Sequence, residues 1–174
     1  MEFIENGGLT FGRWIRQAPY LPDCGAIAAT PHGALIADLP LRDQYAALEL
    51  FRGTMVRHAF VCYRSDAPQN RAIDFASGEA AGYVPIRLPE TLEVRDRLPP
   101  GAAAVLINRN HTYNDLYLPI DAAEERLLAE IDGKHTIAQI YGDKQDPQQA
   151  MEFFCTLWRW DQVVFDTHVK SERP

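Results

Sequence analysis

No cysteine in this sequence stands at CxxC spacing. Cys24, Cys62 and Cys155 are the whole complement, odd in number and far apart. A disulfide framework needs a denser, even set, so free thiols in a reducing compartment are expected, with the cytoplasm as location. No apolar run approaches the roughly 20 residues that span a bilayer, which argues against a membrane-crossing helix. Met1-Glu2-Phe3-Ile4-Glu5 carries neither the basic flank nor the apolar stretch of a secretory signal. Phosphate-cradling and nucleophile motifs are missing too: there is no GxxxxGK[ST], no GxGxxG between strand and helix, and no GxSxG. His32, His58, His111, His135 and His168 never share a helix face with further ligand types nearby. Zinc takes about four such ligands, or three and a water, so no metal site is expected.

Cations are also in short supply. Lys and Arg number 17 against 24 Asp and Glu, a formal net charge of -7. In the stretch that would enter a nucleic-acid groove, about 147–160, Arg159 is the only cation, with Lys134 and His135 in the turn before it. Binding driven by phosphate contacts needs a denser footprint, which argues against a nucleic-acid partner. What is plentiful is apolar content, 47% of 174 residues, enough to bury a core in one domain or two small ones.

The clearest pattern lies at 121–167. Asp121 is followed by Glu124, Thr136 by Gln139, and Asp146-Pro147 by Gln149. Each opening residue can accept from a first-turn amide while the later side chain reaches back, so three short helices are expected. Their apolar stripes are Ala123, Leu127 and Ile131; Ile137, Ile140 and Tyr141; and Ala150, Phe154, Leu157 and Trp158. Val163-Val164-Phe165 then reads as a strand, completing the pattern of a winged-helix-like module. Trp158-Arg159-Trp160 reads as core plus one stacked arginine. Before this cassette, short extended pieces are expected at 83–88, 91–95, 103–108 and 116–120, with Pro85, Pro89, Pro99, Pro100 and Pro119 confining them to edges, bulges and turns. The polar stretch 65–82 marks a boundary, and 170–174 a frayed tail.

In the first third, Asn6-Gly7-Gly8 reads as a turn, and residues 9–16 alternate as a strand. Leu9, Phe11, Arg13 and Ile15 fall on one face, and Thr10, Gly12, Trp14 and Arg16 on the other. A loop with Pro19 and Pro22 follows. Thr30-Pro31 starts a helix to about Asp38. Pro40 starts a second to about Arg52, striped by Leu41, Tyr45 and Leu48 and ended by Gly53. Residues 55–64 read as a strand rich in suitable types, pairing with the first. The densest polar-aromatic run is Arg13-Trp14-Ile15-Arg16-Gln17-Ala18-Pro19-Tyr20. Guanidinium and indole groups at a strand end suit an anionic or planar ligand. The plainer alternative is a solvated Arg16 and an ordinary ion pair at Arg13. Cys24, beside Pro22-Asp23, has no assignable base to activate it.

The strings NGGLTFGRWIRQAPYLPDCGAIA and ELFRGTMVRHAFVCYR, separated by the two helices, resemble the last portion of the catalytic domain in a group of class I S-adenosylmethionine-dependent methyltransferases. YVPIRLPETLEV, LPPGAAAVLIN, IDGKHTIAQI and LWRWDQVVFDT resemble the winged-helix-like domain appended to it, and IDGKHTIAQI is also similar to PqqD-type peptide-binding modules. In that family the cofactor sits on a glycine-rich loop at the first strands, with an acidic residue after the second strand gripping the ribose. The resemblance begins beyond both. It therefore assigns no residue to catalysis or cofactor binding, and S-adenosylmethionine is expected only where a missing catalytic half is present.

The resemblance implies an α+β protein. Residues 1–66 would be a partial Rossmann-like strand-helix-helix-strand segment, and 67–174 a winged-helix-like domain with short strands. Arg13, Trp14, Arg16, Gln17 and Tyr20, with Arg52 and Thr54, would line an acceptor-side wall. Strands torn from a larger sheet expose an edge and an apolar face. Such a fragment repacks on its own second half, docks with a partner, or belongs to a reading frame that starts upstream. The expected function is non-catalytic recognition of substrate or partner in a methyltransferase system. The partner would be a catalytic half, a peptide substrate or a second copy of the chain. The alternatives are a PqqD-like peptide-binding module and a winged-helix DNA-binding regulator.

Overall fold

The computed structural model describes residues 2–66, 73–142 and 146–167. The protein is α+β, with short helices and small antiparallel sheets, and it divides into two compact units. Unit 1 is residues 1–72 with 113–116; unit 2 is 73–112 with 117–174. The tail expected at 170–174, and part of the expected boundary at 65–82, lie outside the described residues. Among the described residues no helix is long and apolar enough to cross a membrane.

Unit 1 opens with a short helix, α1 (Glu2–Asn6), for which the sequence pattern carries no signal. The Gly7 and Gly8 amides bond back to Ile4 and Glu5 and turn the chain into β1 (Leu9–Trp14). Two 3-10 turns, Ala18–Tyr20 and Ala26–Ala29, lead to α2 (Pro31–Ala37) and α3 (Leu41–Arg52). Pro31 sits in the first turn of α2, where its missing N–H costs nothing. The Thr30 hydroxyl does not cap an amide; it donates to the Ile27 carbonyl at 2.8 Å. Gly53 ends α3 in the left-handed region, φ 64°. Leu48 on α3 is fully buried and Tyr45 half-buried, but Leu41, on the expected stripe, is exposed in the first turn. The strand expected from Met55 begins only at Phe60, as β2 (Phe60–Arg64).

β1 and β2 pair antiparallel, as the patterning predicts, but the expected alternation of β1 breaks at Gly12. Phe11 lies opposite Cys62 and Arg13 opposite Val61, so two residues oppose one in a bulge. Every side chain beyond it changes face relative to strict alternation. Trp14, expected on the face opposite Phe11, joins it instead, the rings meeting edge-on at 5.1 Å. A Cβ on Gly12 would come within 2.5 Å of the Tyr63 ring, so the bulge needs glycine there.

Unit 2 has two small sheets. β3 (Val84–Arg87) pairs with β7 (Val163–Asp166), while β4 (Thr91–Val94), β5 (Ala104–Asn108) and β6 (Leu118–Ile120) follow the order β4-β5-β6. The helices are α4 (Ala122–Ala129), α5 (Ile137–Tyr141) and α6 (Pro147–Arg159). Asp121 and Thr136 form full capping boxes with Glu124 and Gln139. At α6, Asp146 caps the Gln148 amide at 2.9 Å, without the expected reciprocal bond from Gln149. Ala150, Phe153, Phe154 and Leu157, one face of α6, are buried. They join Tyr83, Leu106, Ile120, Leu127, Leu128, Ile137 and Val163 in one core.

Asp121 satisfies two first-turn amides at 2.7 and 2.9 Å. Asp121→Ala is expected to cost about 1 kcal/mol, read as a lower urea midpoint at unchanged slope.

Candidate functional site

The sequence-selected residues of unit 1 gather around an aromatic cluster, but they do different jobs. Trp14 stacks on Tyr20, ring centroids 3.9 Å apart and nearly parallel. Tyr45 meets both rings edge-on, at 5.3 and 5.9 Å, and Phe11 and Phe60 close the group around Trp14. Tyr20 is buried and Trp14 half-buried, so the indole packs rather than forming an open wall. The Trp14 Nε1 finds no partner of acceptable geometry. Burial lifts the Tyr45 hydroxyl above its ordinary value, with the indole N–H acting the other way. Arg13 is half-buried on the opposite face of β1, Gln17 is half-buried, and Arg16 and Thr54 are exposed. Thr54 Oγ1 donates to the Arg52 carbonyl at 3.3 Å.

Two residues missing from the sequence-based site complete it. His58 Nδ1 lies 2.6 Å from the Tyr20 hydroxyl, and its Nε2 lies 3.6 Å from Glu49 Oε1. Burial, then the charge of Glu49, pushes the Tyr20 phenol up to about 12. The phenol therefore keeps its proton; where it donates to Nδ1, the remaining imidazole N–H lies on Nε2, toward Glu49. Ligand spacing in the sequence carries no signal for His58, whose hydrogen bond to Tyr20 is made across the fold.

Arg52 is a staple. Its side chain is 2% exposed. Nη1 donates to both Asp115 oxygens at 3.0 and 3.2 Å, Nε to the Pro19 carbonyl at 3.1 Å, and Nη2 to the Cys24 carbonyl at 3.4 Å. Its guanidinium carbon lies 4.5 Å from the centre of the Tyr113 ring. Asp115 also accepts from the Ala26 amide at 2.7 Å. Burial pushes its carboxyl up, but the Ala26 amide and Arg52 outweigh that and hold it below its ordinary value. Nothing in the sequence marks Asp115 as a partner 63 positions away. Cys24, the one thiol with a conceivable nucleophilic role, is fully buried. No group of three or more His, Cys, Asp or Glu among the described residues could hold a metal ion.

Unit 2 contains a second polar cluster that sequence spacing does not reveal. Asp161, at φ 56°, accepts from His111 Nε2 at 3.0 Å, and its carbonyl accepts from Asn108 Nδ2 at 2.5 Å. Thr91 Oγ1 donates to the next carbonyl, Gln162, at 2.9 Å. The His111 and Asp161 side chains are 1% and 5% exposed, so this cluster fastens the α6–β7 turn to β4 and β5.

The strand edges of the two units differ. The Leu88 amide bonds Gln162, so Val84 and Ile86 face β7 while Tyr83, Pro85 and Arg87 face outward from β3. Pro85 has no N–H, and the Tyr83 carbonyl already accepts from the Ile137 amide at 2.9 Å. On β7, the outward Val163 is buried and the outward Phe165 half-buried. The Arg109–Glu90 bond turns alternate β5 residues toward β4, which leaves Pro119 outward on β6, again without a donor. On β4 the Thr91 amide bonds Leu88, and outward Glu93 sits in an Arg87–Glu93–Arg95–Glu125 ion-pair chain. Proline and charge are the devices that discourage strand addition. Unit 1 has neither proline nor ion-pair chain along its ladder. The Ser65–Gly8 and Ile15–Ala59 bonds frame β1 and β2, so Leu9, Phe11 and Trp14, and Phe60, Cys62 and Arg64, point their main-chain groups outward. No main-chain hydrogen bond satisfies these groups among the described residues.

Arg52→Met would leave Asp115 short of its charge partner and is expected to cost about 3 kcal/mol, read from chemical denaturation. Because folding depresses the Asp115 carboxyl below its ordinary 3.8, its contribution is present above that value and is lost as the pH falls from there through the depressed folded value. Asp115→Asn should flatten the loss of stability as the pH falls below about 4, relative to wild type. Tyr20 behaves oppositely. Its phenol is raised from 10.0 to about 12, so its contribution holds below pH 10 and is lost as the pH rises toward 12. Tyr20→Phe should reduce the alkaline slope of stability in that window; an unchanged slope would place the phenol outside the buried cluster. No protein-family model matches the sequence, and a search of curated proteins returned no match.

Proposed function

We propose that this protein is a non-catalytic recognition part of a methyltransferase system, one that engages its partner or substrate through the β1–β2 ribbon of unit 1. The supporting observation is the contrast in strand edges. Most outward ladder positions of unit 2 are proline, buried, satisfied or set among ion pairs, with half-buried Phe165 the exception, whereas of the six outward positions of β1 and β2 only Arg64 is ion-paired, to Asp66. An isolated two-stranded ribbon is marginal in water, and further strands would complete it. The resemblance of 6–64 to the end of a methyltransferase catalytic domain supports a strand-helix-helix-strand piece of Rossmann-like origin. The order α4-α5-α6-β7 after short strands supports a winged-helix-like second unit.

The wall of Arg13, Trp14, Arg16, Gln17, Tyr20, Arg52 and Thr54 serves this reading mainly as scaffold. Trp14 and Tyr20 stack on each other, and Arg52 spends its donors on Asp115 and two carbonyls. The peptide-binding reading draws less support, because Pro85 and Pro119 occupy outward positions and the Tyr83 carbonyl is already bonded. Calorimetric titration of the full chain with S-adenosylmethionine is expected to give no saturable heat. Micromolar affinity for the chain alone would overturn the non-catalytic assignment.

A further inference from the structure

The two edges of the unit 1 ribbon are not equivalent. On β1 the bulge at Gly12 makes the outward positions Leu9, Phe11 and Trp14, a spacing of two and then three residues. An added strand offers groups every second residue and cannot match that interval. α1 also packs against β1, and Tyr45 of α3 lies on Phe11 and Trp14 of the same strand. β2 is regular. Phe60, Cys62 and Arg64 present outward N–H and C=O groups at every second residue, and no residue of the strand is buried.

We propose that this β2 edge pairs with the β2 edge of a second copy of the chain, antiparallel and centred on Cys62, to make a four-stranded sheet. The proposal rests on reading the ribbon as a docking element. An antiparallel edge pairing about a two-fold axis is self-complementary, each copy giving the other what it receives. Centring on Cys62 sets Phe60 opposite the second copy's Arg64, and Val61 opposite its Tyr63. The first is a cation beside an aromatic ring and the second an aromatic beside a β-branched side chain, both favourable across strands. The register also keeps the two Arg64 side chains apart; direct opposition of like charges would disfavour pairing. Within each copy the Arg64 guanidinium is forked onto Asp66 at 2.9 and 2.6 Å, so its charge enters the interface already paired. Cys62 faces its own symmetry mate, and it is a free thiol.

Sedimentation velocity of the full chain across a wide concentration range tests this, together with mild copper-phenanthroline oxidation. Facing residues of a hydrogen-bonded antiparallel pair have Cα atoms about 5.5 Å apart, within disulfide reach. The expected result is a concentration-dependent dimer whose oxidation gives a covalent dimer. That crosslink should be lost in Cys62→Ser and kept in Cys155→Ser. Cys62→Pro removes an outward N–H that β1 does not use, so it should shift the population to monomer with the circular-dichroism spectrum retained. If that variant fails to fold, the crosslinking pattern still decides. A chain that stays monomeric throughout overturns the proposal and leaves the edge for a strand of another protein. A dimer that does not crosslink through Cys62 also overturns it. The S-adenosylmethionine titration does not depend on self-association, so the two readings fail separately.

Discussion

A main-chain amide at the rim of a sheet must find a partner or stay in water, and this requirement shapes both units. Unit 2 meets it internally. Most of its outward strand positions are filled by Pro85 and Pro119, closed by the Ile137–Tyr83 bond, buried at Val163, or flanked by ion-paired Glu93. Such a module can stand with small sheets because little of its edge invites addition. Unit 1 meets the requirement on one side of each strand only. Its β2 edge repeats at the two-residue interval of a strand, without proline or bulge.

That difference has an energetic side. Two strands alone do not hold together in water, so unit 1 must draw its stability from elsewhere. The aromatic cluster of Phe11, Trp14, Tyr20, Tyr45 and Phe60 supplies one part. The Arg52 guanidinium supplies another, tying the end of α3 to the loop at Pro19 and Cys24 and to Asp115. A charge this deeply buried is tolerated because its donors have partners of good geometry. Trp14, Tyr20 and Arg52, which look like ligand binders in the sequence, thus help to hold a small unit together.

How much the sequence discloses depends on how local the cause is. Helix starts at Asp121 and Thr136 are visible because a cap and its target lie three residues apart. Pro85 and Pro119 are visible as edge residues for a similar reason: a residue without an N–H constrains its own position. Gly12 is not, since glycine in a strand is compatible with ordinary alternation. Only the Tyr63 ring above it, from the neighbouring strand, shows why glycine is needed at the bulge. The face of Trp14 follows from that bulge and so is hidden in the same way. Asp115 and His58 escaped for the same physical reason, their partners Arg52 and Tyr20 being 63 and 38 positions away.

The bulge then has a consequence at the ribbon's rim. By shifting Trp14 onto the face of Phe11, it lets the indole stack on Tyr20 and close the aromatic cluster over β1. The same extra residue spoils the two-residue repeat of β1's outer edge, so the feature that builds the core also makes that edge a poor template. β2 adds Phe60 to the same cluster without a bulge and keeps its repeat from Phe60 to Arg64. Packing on one strand therefore selects the other as the place where a further strand can be added.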